Sequence, residues 1–297
     1  HNGIFTPRLA WKWTLGNGQV FRLNAGTGFR VVSLFTEEHA ALTGARAVEI
    51  LEELKPERSY NVNLNYTRPI KWDRNLFNLD ASLWYSHFTN QIIPDYETDV
   101  NKIIYQNLHG YSTSKGFTLN LEYNRGHRFK ALVGMTMQDV NKTGRDADGK
   151  KVRTRPMLTE SWSGTWALTY TIPSIRLNID YTGNIYGPMR LPLASPSDPR
   201  PDHSPVWSLQ NVQLSKGFDW IEIFAGVKNL LNWTPAKNVP FLIARSHDPF
   251  DKKLEYEANG QIKATAENPY ALSFDPGFVY APNQGLRVFG GVRFTVR

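Results

Sequence analysis

Residues 175–186 read IRLNIDYTGNIY. Successive side chains of an extended chain point to opposite sides. Ile175, Leu177, Ile179, Tyr181 and Ile185 therefore share one face, and Arg176, Asn178, Asp180, Thr182 and Asn184 share the other. The pattern predicts a strand with one oily and one wet side. It recurs along the chain. Asn61, Asn63 and Asn65 oppose Tyr60, Val62, Leu64 and Tyr66, and Ser161, Ser163, Thr165 and Thr169 oppose Trp162, Trp166, Leu168 and Tyr170. Near the end, Leu286, Val288, Val292, Phe294 and Val296 oppose Arg287, Arg293, Thr295 and Arg297. Eleven strands are expected, at roughly 5–14, 19–29, 58–68, 75–92, 113–124, 127–140, 158–172, 174–187, 206–217, 219–232 and 285–297.

The connections separate a soluble sandwich from a membrane barrel. Gly16-Asn17-Gly18, Asn124-Arg125-Gly126, Pro173-Ser174 and Gly217-Phe218-Asp219 are tight turns, and 69–74 is short. Between them run long stretches at 30–57, 93–112, 141–157, 188–205 and 233–284. Short turns on one side and long loops on the other are the layout of an outer-membrane barrel, with turns periplasmic and loops extracellular. A strand of about 11 residues, at ~3.3 Å each and tilted ~40°, climbs roughly 28 Å, close to the apolar band of such a barrel. Trp11, Trp13, Tyr66, Trp72, Tyr123, Tyr170 and Trp220 fall near turns, and Tyr60, Tyr85 and Trp162 nearer loops, which suggests two interfacial belts. Prolines 188, 192, 196, 199, 201 and 205 argue against a ladder in 188–205. Counting strands back from a descending last strand puts His1 outside. Single-chain barrels have an even strand number, so eleven strands read as the second part of a larger barrel.

Bulk composition is compatible with this. Hydrophobic residues make up 41% of 297 and mean hydropathy is −0.43. A barrel tolerates that balance because only alternate strand residues need be apolar. No stretch of 18 apolar residues occurs, which excludes a membrane-spanning helix. The absence of cysteine excludes a disulfide framework and Cys-based metal sites. The net charge of +7 is spread over turns, loops and polar strand faces, without the basic patch that nucleic-acid binding requires.

Gly28-Phe29-Arg30 closes the alternating strand that starts near 19, with Val31-Val32 following. This ending resembles the strand-end motif of TonB-dependent outer-membrane receptors and transporters, although Val31-Val32 replace the usual Ala-Pro, and further motifs in order along the chain resemble the C-terminal part of that family. Leu54-Lys55-Pro56-Glu57 resembles the re-entry into the next descending strand. Tyr105-Gln106-Asn107 and Ser114-Lys115-Gly116-Phe117 resemble a paired "aromatic-x-Asn … Lys-Gly" element. Gly226-Val227-Lys228-Asn229-Leu230-Leu231-Asn232 resembles the penultimate-strand "Val-x-Asn-Leu-Phe-Asp" motif, with Leu231 and Asn232 in place of Phe and Asp. Ala281-Pro282-Asn283-Gln284-Gly285 resembles the approach to the last strand. The style is similar to members from the Bacteroides group.

The resemblance implies an all-β fold, an antiparallel transmembrane β-barrel of which residues 1–297 are the C-terminal portion: eleven of twenty-two strands, with the plug domain outside this chain. It implies the bacterial outer membrane and energy-coupled import of a scarce nutrient, a corrinoid (cobalamin) first, then a ferric siderophore or haem. The implied partners are the plug and the remaining strands, the TonB complex through an N-terminal TonB box, a small nutrient ligand, membrane lipid and, among the candidates, a surface lipoprotein. Other classes kept open are an adhesive barrel without transport and an outer-membrane hydrolase.

No catalytic constellation stands out, and neither cofactor nor metal is called for. His87, His109, His127 and His203 are scattered, and neither HExxH nor a nucleophile elbow occurs. Asp139, Asp146, Asp148 and Gly149 have the wrong alternation for a Ca²⁺ loop. Ligand capture is expected in the two longest loops, where aromatic, Arg and His side chains could anchor a bulky ligand: Phe35, Glu38, His39 and Arg46 in one, and Phe241, Arg245, His247, Tyr256 and Tyr270 in the other. Arg22, Arg176, Lys228, Arg287 and Arg293, with Asp80, Glu122, Asp180 and Glu222, are expected to face the lumen and the plug. Charges buried there should be paired, because unpaired burial is expensive.

Overall fold

The computed structural model describes residues 5–31, 47–95, 102–145, 148–191, 201–235, 255–258, 263–266, 280–282 and 284–295. In chain order the strands are β1 (Arg8–Thr14), β2 (Val20–Arg30), β3 (Ala47–Ile50), β4 (Glu57–Trp72), β5 (Asn75–Thr89), β6 (Ile92–Asp95), β7 (Lys102–Asn107), β8 (Tyr111–Arg125) and β9 (Phe129–Arg145). They continue as β10 (Lys151–Thr154), β11 (Trp162–Ile172), β12 (Leu177–Tyr186), β13 (Trp207–Gly217), β14 (Ile221–Lys228) and β15 (Arg287–Phe294). One sheet follows the order β1-β2-β4-β5-β8-β9-β11-β12-β13-β14-β15, with β10 a hairpin extension on β9. All its pairings are antiparallel. The eleven strands along this path are the eleven expected from alternation. Among the described residues the path is open, with β1 and β15 as its edges.

Tight turns join the strands at one end. Residues Gly16–Gly18 and Pro173–Ile175 form single 3₁₀ turns. Asn17, Asp73, Gly126 and Arg176 take positive φ, which closes the hairpins. Arg176 is one departure from expectation. It is not a strand residue: it caps the 3₁₀ turn with φ 50°, and β12 starts at Leu177. Pro173 sets the turn's first φ, so the strand cannot extend back through 174–176.

The loop end differs more. β5 stops at Thr89 instead of running to 92, because Asn90 has φ 54° and turns the chain away. β3, β7 and β6 then form a second, three-stranded sheet from residues expected, Ile92 apart, to be loop, with β3 parallel to β7. Residues 188–205 also depart in part. Prolines 188 and 205 leave room for one bridge, Arg190 opposite His203, with Leu191 N bonded to Asp202 O and Ser204 N to Met189 O.

The register carries the alternation across the whole sheet. One continuous row runs Trp11–Leu23–Leu64–Leu83–Phe117–Met137–Trp162. The next position on the opposite face runs Lys12–Arg22–Asn65–Ser82–Thr118–Thr136–Ser163. A one-residue slip anywhere would invert the faces, so the pattern fixes the register. Leu83, Val133, Met137 and Leu214 are each about half exposed. An apolar face this broad needs a nonaqueous neighbour. β4, β5, β8 and β9 have 15 to 17 residues, whereas about 9–11 suffice to cross a bilayer. These strands are therefore longer than a bilayer crossing requires.

Candidate functional site

The polar face is built from short side chains that bond along and across strands. Arg22 donates to Asn65 Oδ1 at 3.2 Å and to Thr67 Oγ1 at 3.4 Å. Asn65 donates to Asp80 Oδ2 at 3.1 Å and to Ser82 Oγ at 3.0 Å, and Thr67 donates to Asp80 at 3.3 Å. Further along, Thr118 and Thr136 hydroxyls meet at 3.0 Å and Thr169 donates to Asp180 at 2.6 Å. Glu122 accepts from Asn124 at 3.1 Å and lies 3.4 Å from Lys130. Arg293 pairs with Glu222 at 2.5 Å. Lys228 and Phe289 are in cation–π range at 5.4 Å, and Arg287 is Lys228's cross-strand partner.

Eight of the nine residues expected to face the lumen and plug, Arg22, Asp80, Glu122, Asp180, Glu222, Lys228, Arg287 and Arg293, share the polar face by register. Arg176 does not. It lies at the turns and pairs with Asp219 of the neighbouring turn at 2.6 Å.

Aromatic rings on this face cover glycines. Gly116 lies beneath Trp84, where a Cβ would come within 2.4 Å of the ring. Gly226 lies beneath Phe289, and Gly291 beneath Phe224. These pairs restore packing that glycine alone lacks. The sequence showed the glycines but not their rings, because each ring comes from the adjacent strand.

At the loop end the polar face closes over an aromatic cluster. Trp207 stacks on Tyr186 at 4.3 Å and on Trp233 at 5.1 Å, with Tyr280 set edge-on at 6.5 Å. Met189, Leu191 and Ala281 complete this buried core. Burial pushes the Tyr280 phenol pKa up.

Asn229, buried with φ 52°, locks the cluster. Its side chain donates to Trp233 O at 2.7 Å and to Gln284 O at 2.9 Å, and accepts from Trp233 N at 3.0 Å. Asn232 Oδ1 accepts from Leu286 N at 2.9 Å. The two asparagines of the 226–232 motif thus tie the end of β14 to the start of β15 across the longest connection.

The other motifs find physical reasons as well. Asn107 donates to Lys55 O at 3.0 Å and Asn90 O at 2.8 Å, and accepts from Lys55 N at 2.8 Å. Glu57, also buried, accepts from Ile92 N at 2.8 Å and faces Arg30 at 3.8 Å. These bonds hold the small sheet on the ends of β4 and β5.

Of the residues expected to capture ligand, Tyr256 is exposed near the Glu255–Lys263 ion pair. Phe35, Glu38, His39, Arg46, Phe241, Arg245, His247 and Tyr270 lie outside the described residues, as does the 283 position of the last motif.

The sheet is two-faced and antiparallel, with hairpins at one end and long excursions at the other, and the family comparison agrees with it. The profile of the family described as TonB dependent receptor-like, beta-barrel matches residues 1–230. The chain belongs to that family. It is accordingly an outer-membrane protein, and the eleven strands of its main path are transmembrane strands.

Solved TonB-dependent receptors share the fold at low identity. The FrpB iron transporter from Neisseria meningitidis is 16% identical with a TM-score of 0.55, over 77% of this chain and 35% of that one. The ferric-catecholate import receptor Fiu from E. coli K12 is 14% identical with a TM-score of 0.55, over 76% and 30%. The pyoverdine receptor FpvA from Pseudomonas aeruginosa, bound to pyoverdine, is 11% identical with a TM-score of 0.58, over 98% and 36%. The chain thus spans about a third of the length of these structures. No curated protein sequence matches it.

Proposed function

We propose that this chain is half of the barrel wall of an energy-coupled importer that brings a scarce nutrient across the outer membrane. The observation that carries the reading is the polar face. Its charged groups, Asp80, Asp180, Glu222 and Arg293 among them, are held by neighbours in the same sheet. A wall of preset, satisfied polar groups can contact a movable plug without stranding a charge when the plug shifts. The remaining strands would close the sheet beside β1 and β15, the plug would fill the lumen, and the TonB complex would supply the pull.

The captured nutrient in this reading is a ferric siderophore. The solved relatives titled as iron, ferric-catecholate and pyoverdine receptors support it ahead of haem and ahead of the corrinoid that the sequence resemblance put first. Ligand would first meet the loop end, where the Tyr186–Trp207–Trp233 stack fixes the base of the 233–286 connection. No enzymatic step is part of the reading.

The test is uptake of ⁵⁵Fe-siderophores, haem and labelled cobalamin by cells carrying or lacking the receptor, with and without a protonophore. Receptor-dependent uptake that the protonophore abolishes is expected for one ferric chelate. Binding that is indifferent to the protonophore, with no accumulation of any of the three, would replace import with surface adhesion.

A further inference from the structure

We propose that the outer, lipid-facing side of the sheet carries a binding site for a phosphate-bearing, multi-acyl membrane lipid, seated where β8 and β9 leave the apolar band. A shallow groove of about 730 Å³ opens on this side. Its floor is Val62, Leu64, Leu83, Phe117 and Met137, and Lys115 and Asp139 form its rim. The register explains the change from floor to rim. The row Leu83–Phe117–Met137–Trp162 is wholly apolar, and the next outward row toward the loops is Tyr85–Lys115–Asp139.

Above that boundary the outward face is basic. Arg153 and Lys115 both reach Asp139, at 2.6 and 3.6 Å, and both remain more than half exposed. Lys151 lies over the Tyr111 ring at 5.4 Å. Two outward rows further on, past Tyr60, His87, Thr113 and Asn141, Arg58, Thr89, Tyr111, Thr143 and Arg153 stand side by side across five strands. Four strand spacings of about 4.8 Å make that row roughly 19 Å wide. Lys115 and Arg153 share one carboxylate, Asp139, while Lys151 and Arg58 stand further along the same outward face, which leaves an excess of positive charge.

The height of this cluster selects the occupant. An apolar groove inside the bilayer takes acyl chains, and a basic cluster that begins at Lys115 on its rim and continues toward the loops lies at headgroup level, where cations attract anionic lipid. A soluble anion would gain nothing from the apolar floor. A zwitterionic lipid would gain nothing from the excess cations. A lipid with phosphate on its headgroup and several chains satisfies both parts.

The test uses the receptor purified from membranes, stripped of lipid and titrated in detergent, with bound lipid read by native mass spectrometry. The probes are diphosphorylated lipid A, its dephosphorylated form and inorganic phosphate. The phosphorylated lipid is expected to bind at least about tenfold more tightly than the dephosphorylated one, given about fivefold in affinity for each Lys or Arg near an anionic surface. The combined Lys115→Gln, Lys151→Gln and Arg153→Gln variant should erase that preference. Asp139→Asn, which releases two cations from their internal partner, should strengthen binding. This gain cannot come from misfolding. Lys12→Gln, at the turn end, should change nothing. Equal affinity for the two lipids, an unaffected triple variant, weakened binding by Asp139→Asn, or full displacement of lipid by equimolar inorganic phosphate would each overturn the site.

Discussion

Replacing Met135 by Arg places a charge near the middle of the bilayer. On β9 the outward side chains are Phe129, Ala131, Val133, Met135 and Met137, followed by Asp139, and none between Phe129 and Asp139 is charged. About ten residues at ~3.3 Å, tilted ~40°, span roughly 25 Å, which equals the height of an outer-membrane barrel's apolar band. Phe129 packs near Tyr123 at 5.9 Å at one edge of that span, and Asp139 marks the other. Met135 lies within ~3 Å of the middle. An Arg there should destabilise by ~2–4 kcal/mol, against ~1 kcal/mol or less for Ala131→Arg, close to the turn-side edge. A loss of ~3 kcal/mol lowers the folding equilibrium about 150-fold. The assay is unfolding in urea of receptor inserted in phospholipid vesicles, followed by tryptophan fluorescence and gel mobility. Equal losses at 131 and 135, or a loss under about 1 kcal/mol at 135, would refute the placement of the band.

Asn229→Ala removes three buried hydrogen bonds and forces Ala to φ 52°; with ~1 kcal/mol per bond and 1–2 kcal/mol for the left-handed backbone, a loss of about 3–5 kcal/mol is expected. Asn229→Gly should recover the backbone part alone, which denaturant midpoints can separate. Gly116→Val drives two methyls against Trp84 and Met137 O; reduced folded yield and a shifted tryptophan emission are expected, and a wild-type yield would contradict the close packing. Tyr280 has a pKa raised by burial, so its neutral phenol stabilises the aromatic cluster below the ordinary Tyr value of ~10, and that contribution is lost as pH rises through the raised value. The phenolate absorbance titration should therefore show one late component that Tyr280→Phe removes.

Much of the wall was legible because its rule is local. Period-2 alternation around Ile179 or Leu64 needs no knowledge of neighbours, and each of the eleven strands follows from it. Ends and excursions were harder. Asn90 turns β5 aside through a positive φ, and Ile103, Ile104 and Tyr105 are buried in a sheet whose parallel partner is more than fifty residues away. No local pattern announces such pairing. Arg176 fits the alternation perfectly and still belongs to a turn, because Pro173 and the left-handed backbone decide there. For the candidate site, the charges of the polar face were visible as a set. Their partners were not, since Thr67 reaches Asp80 and Thr169 reaches Asp180 only through register. Trp207 and Trp233 carried no periodic signal and became a cluster only when three loop bases met.

The apolar face of the sheet meets lipid and the polar face does not. The chain has no cysteine, so a cysteine introduced here reports one position once any cysteine elsewhere in the receptor is replaced. Spin labels placed one at a time at Leu119, Asn120, Leu121 and Glu122 on β8, with the receptor in lipid bilayers, measure collisions with oxygen, which concentrates in lipid, and with a water-soluble nickel chelate. High oxygen accessibility at 119 and 121 and low oxygen accessibility at 120 and 122 is the predicted period of two. A uniform profile, or oxygen maxima at 120 and 122, would contradict it.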